Sequence, residues 1–178
     1  DETEWDYGQR VAKELEVEIL NLGPDNVMAF IAETVVGATA GALTAVPGYF
    51  KLIREICNKY DLLLILDEVM CGMGRTGSLF ACDDEPVIPD IITIAKGLGA
   101  GYQPIGAMIC QNHIFEAIES GSGFFQHGHT YLGHPVACAA SYAVLSKLID
   151  DNYPSKVRKK GNILLQSLTK TLGQNQYI

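Results

Sequence analysis

The sequence predicts an α/β protein, a mostly parallel sheet covered by helices. Two observations carry that expectation. The run Leu62-Leu63-Leu64-Ile65-Leu66 is continuously apolar and ends in Asp67-Glu68-Val69, the pattern of a strand buried on both faces. A short apolar run by itself also suits a buried helix. The second observation supports the strand. An amphipathic stretch over residues 44–60 separates this run from an earlier apolar segment, 27–33, and a strand–helix–strand crossover pairs its strands in parallel.

In chain order, residues 2–20 put Tyr7, Val11, Leu15 and Ile19 on one side at helical spacing, with a Glu-Val-Glu-Ile alternation near the end. Asn21-Leu22-Gly23-Pro24-Asp25 stops that helix. Residues 27–33 read as a buried strand ending in Glu33, and 36–42 as a small-residue loop where backbone can approach a ligand. In the helix over 44–60, Pro47 suits the first turn. Tyr49, Ile53, Ile56 and Tyr60 form its buried stripe, and Lys51, Arg54, Glu55, Asn58 and Lys59 face water. Asp67 closes the next strand, and Gly72-Met73-Gly74-Arg75-Thr76-Gly77 makes a glycine-punctuated loop. Pro86, Pro89 and the acidic residues between Asp83 and Asp90 mark a surface connection.

Residues 91–95 form the following strand, with Lys96 at its end and a flexible Gly97-Leu98-Gly99-Ala100-Gly101-Tyr102 behind it. A short strand over 106–110, a brief helix over 112–119 and a break at Gly121-Ser122-Gly123 come next. Residues 124–135 make a rigid aromatic and polar loop, and Pro135 opens an alanine-rich helix to Asp150. A hinge at 151–153 leads to a last helix from Ser155, with Val157, Leu164, Leu165, Leu168 and Leu172 on one face and Gly173 at its end. With Tyr177 and Ile178 trailing it, this helix reads as the entrance to a second, truncated domain.

Composition narrows the partners. The 178 residues are 48% hydrophobic and 19% charged, with a net charge of -8. That balance provides a core and argues against nucleic acid or an anionic membrane as the main partner. No apolar run approaches membrane-spanning length, and the acidic N-terminus does not resemble a signal peptide. Cys57, Cys71, Cys82, Cys110 and Cys138 are scattered, without a C-x-x-C pair, and read as reduced core thiols of a cytoplasmic protein.

Asp67 belongs at the carboxyl end of its strand, where ligands bind in open α/β sheets. A carboxylate at the edge of an apolar core is costly unless a cation faces it. Lys96 is the candidate cation. Closing a buried strand among glycines, its amine is expected to be desolvated, with a lowered pKa, and poised to form a Schiff base with an aldehyde. The structural alternatives are a surface lysine in a loop and a carboxylate that caps its own turn. One ligand explains both residues: pyridoxal 5'-phosphate, with Lys96 on its aldehyde and Asp67 on its pyridine nitrogen.

Ile65-Leu66-Asp67-Glu68-Val69 with Gly72-Met73-Gly74-Arg75-Thr76-Gly77, then Thr93-Ile94-Ala95-Lys96-Gly97-Leu98 and Pro104-Ile105-Gly106-Ala107, resembles the class III (fold type I) pyridoxal-phosphate aminotransferases. So does the stretch from His127 to Pro135. The resemblance implies the aspartate-aminotransferase-like fold, with residues 1–150 part of the large cofactor-binding domain and 151–178 the start of a small C-terminal domain. It implies amino-group transfer between an amine or amino acid donor and a 2-oxo acid acceptor. Lys96 then matches the Schiff-base lysine and Asp67 the pyridinium partner. Val69 matches the aliphatic residue against one ring face, and Thr130 the threonine reaching the cofactor phosphate of the neighbouring subunit of a homodimer. Glu33 matches a carboxylate near the site without touching the ligand, and Glu68 is expected to point away from it. His127, His129 and His134 are expected to brace their loop rather than bind metal, as no Cys or Asp stands at ligand spacing.

The sequence departs from the family pattern at Thr34, where proline is usual, and at Ala38, where some members carry a glutamate that gates a substrate arginine. The second departure leans toward members that use amines or ω-amino acids with pyruvate as acceptor. Segments matching the family's N-terminal phosphate loop and its C-terminal arginine have no counterpart in the sequence. The chain therefore reads as the middle of a family member, and a truncated, non-catalytic fold fragment is the rival expectation. A decarboxylase or aminomutase would use the same lysine and ring partner. A nucleotide hydrolase would need a Gly-Lys dipeptide, which the sequence lacks.

Overall fold

A computed structural model describes residues 2–175. Tyr177 and Ile178, on which the expectation of an entrance to a second domain partly rests, lie outside the described residues. The strands β1 (Ala29–Glu33), β4 (Leu63–Asp67), β5 (Ile91–Ile94) and β6 (Ala107–Cys110) form one sheet in the order β1-β4-β5-β6. β1, β4 and β5 run parallel, and β6 is antiparallel to β5 at the edge. The α/β class with a mostly parallel sheet is therefore the observed architecture.

Helix α1 (Glu4–Leu22) is capped by Thr3, whose Oγ1 accepts from Asp6 N at 3.1 Å, and it ends at Gly23 with φ 82°. The Glu-Val-Glu-Ile alternation does not end it, because glutamate is a good helix former and no breaker intervenes. Its buried positions are Gly8, Ala12, Glu16 and Ile19, while Tyr7 is exposed, so the stripe is rotated by a residue from the expected one. Glu16 belongs in that stripe because its carboxylate accepts from Lys59 Nζ (2.6 Å), Tyr60 Oη (2.9 Å) and Lys13 Nζ. These contacts dock α1 on α2 (Tyr49–Lys59).

Helix α2 starts later than its periodicity suggests, since Leu43–Thr44 is drawn into a ribbon, β3, antiparallel to β2 (Val35–Val36). The expected small-residue loop is the tip of that ribbon. Gly48, at φ 83°, precedes α2, and a Cβ there would lie 3.2 Å from Trp5 Cζ3 on the neighbouring helix. Phe50, Ile53 and Cys57 are the buried residues of α2. Arg54 does not face water. Its guanidinium is largely buried, donating to Asp90 Oδ2 at 2.6 Å and to Leu62 O at 3.2 Å.

The core lies between these helices and one face of the sheet, around Ile19, Phe50, Ile53, Cys57, Leu64 and Leu66. A second cluster gathers Met73, Ile94 and Leu98 against Leu145 and Leu148 of α4 (Pro135–Asp150). Expected burial on both faces of the central strand is not what is found. β4 alternates, with Leu64 and Leu66 buried and Leu63 and Ile65 only half-buried, and Ile31 is 62% exposed beside Ile65. The helices that bury β4 pack on one side of it. Cysteine placement is mixed as well: all five thiols are free, but Cys110 is half-buried and Cys138 exposed, so only Cys57, Cys71 and Cys82 are core thiols.

Past β6 come α3 (Asn112–Ser120), the exposed loop 121–134, α4, and α5 (Tyr153–Leu172). The hinge narrows to Asp151 and Asn152, the latter at φ 51°. Arg158 of α5 donates to Gly77 O (3.3 Å), Ser78 Oγ (2.6 Å) and Asp84 Oδ1 (2.7 Å), tying that helix to the loop after β4.

Candidate active site

The sheet register sets the site. β4 and β5 are adjacent and parallel, with Asp67 opposite Thr93, so Asp67 and Lys96 leave the same, carboxyl end of neighbouring strands. Asp67 is half-buried and its Oδ1 accepts from Val69 N at 2.9 Å. That short turn fixes Val69, also half-buried, beside the carboxylate. On the other flank Glu33 is the register partner of Asp67. Its Oε2 accepts from Gly37 N at 2.8 Å and its Oε1 from Thr39 Oγ1 at 3.4 Å.

Lys96 starts a single 3-10 turn, Lys96–Leu98, with its backbone at φ 43°. A non-glycine residue in the left-handed region is strained and persists where its surroundings impose it. Here the Lys96 carbonyl accepts from Gly99 N (3.2 Å) and Ala100 N (3.0 Å). The turn folds tightly enough that a Cβ on Gly99 would lie 2.5 Å from Gln103 O. Lys96 borders a cleft of about 990 Å³, whose walls include Met73, Arg75, Gln103, Val144 and Tyr153. Lys96 is exposed, so the expected enclosure of its amine is not found.

Asp67 is not among the residues lining that cleft, and neither are Val69 and Thr130. The structure thus brings Asp67, Val69 and Glu33 together at one strand end, and sets Lys96 on the neighbouring strand end facing the cleft. Thr130 is exposed on the loop 121–134, among exposed Phe124, Phe125, Tyr131 and Leu132. Within that loop the rings of His127 and His129 meet edge to face at 5.5 Å. His134 caps α4, its Nδ1 accepting from Ala137 N at 3.4 Å. No cluster of metal-ligating side chains occurs among the described residues.

Glu68, set aside in the sequence, is the most enclosed polar residue near the site, with 0% exposure. Strand alternation turns it to the opposite side of the strand end from Asp67. Its carboxylate accepts from Thr34 Oγ1 (3.0 Å), Ala81 N (2.6 Å) and Cys82 N (2.8 Å). Burial, reinforced by the Glu68 charge, pushes the Cys82 thiol up to about 12. Burial raises the Cys71 thiol too, with the Glu68 charge adding to it. No sequence signal announced this cluster, because its members come from three separate segments.

The residue types suit pyridoxal phosphate, and of them Lys96 alone lines the cleft. A primary amine stands at a cleft wall within reach of solvent, a carboxylate closes the adjacent strand, and a branched apolar side chain sits two residues on.

A family model described as Aminotransferase class-III matches residues 1–178. An aminotransferase of Gibberella zeae is 51% identical over 163 residues, covering 92% of this chain and 32% of that protein. Gamma aminobutyrate transaminase 2 of Solanum lycopersicum is 45% identical over 170 residues, covering 94% of this chain and 37% of that protein. Among solved structures, a thermostable (S)-enantioselective omega-transaminase from Thermomicrobium roseum superposes with a TM-score of 0.91 at 40% identity. That match covers 97% of this chain and 38% of the other. The chain spans about a third to two-fifths of the length of these relatives.

Proposed function

The chain belongs to the class III aminotransferase family, and from that premise we propose that it carries the lysine-bearing core of a pyridoxal-phosphate-dependent transaminase. The observation that carries this reading is Lys96 itself. It is a lysine held at φ 43° on a cleft wall, at the carboxyl end of the strand next to the one that ends in Asp67.

Bound pyridoxal phosphate supplies an electron sink for the carbanion left when a substrate loses its α proton. Lys96 Nζ would hold the cofactor through its aldehyde carbon, and its free amine would take the substrate's α proton and return it at the former aldehyde carbon. The Asp67 carboxylate would keep the pyridine nitrogen protonated. Val69 would pack against one face of the ring. Thr130 reaches the phosphate held by the neighbouring subunit of a homodimer, which the exposed aromatic residues around it support. The donor class is an amine or ω-amino acid and the acceptor a 2-oxo acid such as pyruvate. The names of the tomato and Thermomicrobium relatives and the alanine at position 38 support that choice. Among the described residues no helix is long and apolar enough to cross a membrane. Five free thiols support a reducing, cytoplasmic location.

The test is borohydride reduction in the presence of pyridoxal phosphate, followed by peptide mass mapping of the native-length protein. A pyridoxyl adduct on Lys96 is expected, and Lys96→Ala should lose it. An adduct on other lysines alone would overturn the assignment. Asp67→Asn should retain the adduct and slow transamination severely, whereas normal turnover would remove Asp67 from its role. The 178 residues by themselves are expected to give no measurable turnover.

A further inference from the structure

We propose that Glu68 is the positioning residue of this site: it holds the Asp67–Val69 turn so that both neighbours present themselves to the pyridine ring. The proposal rests on the pyridoxal-phosphate reading above.

The argument starts from cost. A carboxylate with 0% exposure is expensive to bury, and cations are the usual compensation. Every hydrogen-bond donor found on Glu68 is neutral: the Thr34 hydroxyl at 3.0 Å, the amides of Ala81 and Cys82 at 2.6 and 2.8 Å, and the Cys82 thiol. A well-packed apolar side chain would satisfy stability at least as well. What the carboxylate adds is direction. Its two oxygens cap the first amides of the 3-10 turn Ala81–Asp84 and catch the residue just past β1. The backbone of Glu68 is equally committed. Its N–H donates to Thr93 O at 2.9 Å, and its carbonyl accepts from Gly72 N at 2.9 Å.

One residue thus joins β1, β5, the turn after β4 and the segment that follows it. Space around it is closed: a Cβ on Gly72 would lie 2.8 Å from Glu68 O and 3.2 Å from Glu68 Oε2. With residue 68 pinned on one side of the strand end, Asp67 and Val69 are forced to the other. The hydrogen bond from Val69 N to Asp67 Oδ1 then sets the carboxylate itself. The departure at Thr34 acquires a purpose here, since a proline has no hydroxyl to donate to Glu68.

Glu68→Gln is the informative variant. Its carbonyl oxygen can keep the bonds from Thr34 and Cys82, but its amide nitrogen would face the Ala81 amide, donor against donor. In the native-length protein, Glu68→Gln is expected to keep the parent's far-ultraviolet circular dichroism and its borohydride adduct on Lys96. The pH midpoint of the bound-cofactor absorbance should shift in the same direction as in Asp67→Asn, and kcat should fall at least tenfold with KM within about twofold of the parent. The double variant Asp67→Asn/Glu68→Gln should lose no more than Asp67→Asn alone, because Glu68 acts through Asp67. Thr34→Val, which removes one donor and leaves the carboxylate in place, should shift the absorbance midpoint the same way by a smaller amount.

An unchanged absorbance titration and kcat in both Glu68→Gln and Thr34→Val, with only a lower melting temperature, would overturn the proposal. Multiplicative losses in the double variant would do the same. If the parent itself fails to take up pyridoxal phosphate on Lys96, the functional reading and this proposal fall together. A normal parent with unchanged variants removes this proposal alone.

Discussion

Glu33 and Asp67 are register partners at the carboxyl ends of two adjacent parallel strands, so two carboxylates stand side by side on one face of the sheet. Each is held by a nearby backbone amide, Gly37 N for Glu33 and Val69 N for Asp67. The Glu33 carboxylate therefore organises the turn into the β2–β3 ribbon. Glu33→Ala is expected to cost about 1 kcal/mol, the usual worth of a hydrogen bond of this kind. Glu33→Gln should cost less, since its carbonyl oxygen still accepts from Gly37. Urea unfolding of the two variants against the parent checks the order, and equal stability of all three would refute it.

The Arg54–Asp90 pair makes a sharper prediction. The Asp90 carboxylate accepts from Arg54 Nη1 at 2.6 Å and from Leu64 N at 2.7 Å, and both side chains are more than four-fifths buried. Asp90→Ala would leave a guanidinium with no counter-charge and an unpaired amide in the central strand. The expected loss is about 3 to 5 kcal/mol, measured as the shift in denaturation midpoint with an unchanged slope. Arg54→Met/Asp90→Leu together should recover most of it, because an apolar pair of similar volume removes the stranded charge.

Glu16 predicts the acid behaviour of the α1–α2 contact. Hydrogen bonds from Lys13, Lys59 and Tyr60 hold its carboxyl well below the ordinary range, at about 2 against 4.5. A carboxyl whose pKa is depressed by folding contributes its full stabilisation above the unfolded value and loses it as pH falls toward the folded one. The contribution should therefore be complete above about pH 4.5 and fade down to about pH 2. Glu16→Gln should lower stability near neutrality, where the carboxylate's contribution is complete, and flatten its pH dependence in that acid window. Circular dichroism melts at a series of acid pH values are the measurement, and parallel curves for variant and parent would count against the assignment.

The parts legible in the sequence were those written in local patterns. The apolar run before Asp67 and the helix before it specify the crossover that pairs β1 with β4, and the next apolar strand, β5, joins β4 in parallel, so that Asp67 and Lys96 leave one end of adjacent strands. Patterns that depend on distant partners did not show. Arg54 looked like a water-facing position because its partner, Asp90, lies 36 residues away. Nothing in the sequence marks the β2–β3 ribbon, because two-residue strands have no period. Glu68 looked like a bystander because its donors sit 34 residues before it and 13 and 14 after it. An apolar strand ending in Lys96 suggests enclosure, yet the residue is exposed, because strand composition does not say what covers the strand's end.

The placement of Trp5 over Gly48 has a practical side. It is the only indole in the sequence, and it sits where α1 meets the start of α2, while Lys96 and the cleft lie elsewhere in the fold. The seam between the first helix and the rest of the fold thus carries an optical reporter, whose emission can announce that helix peeling away.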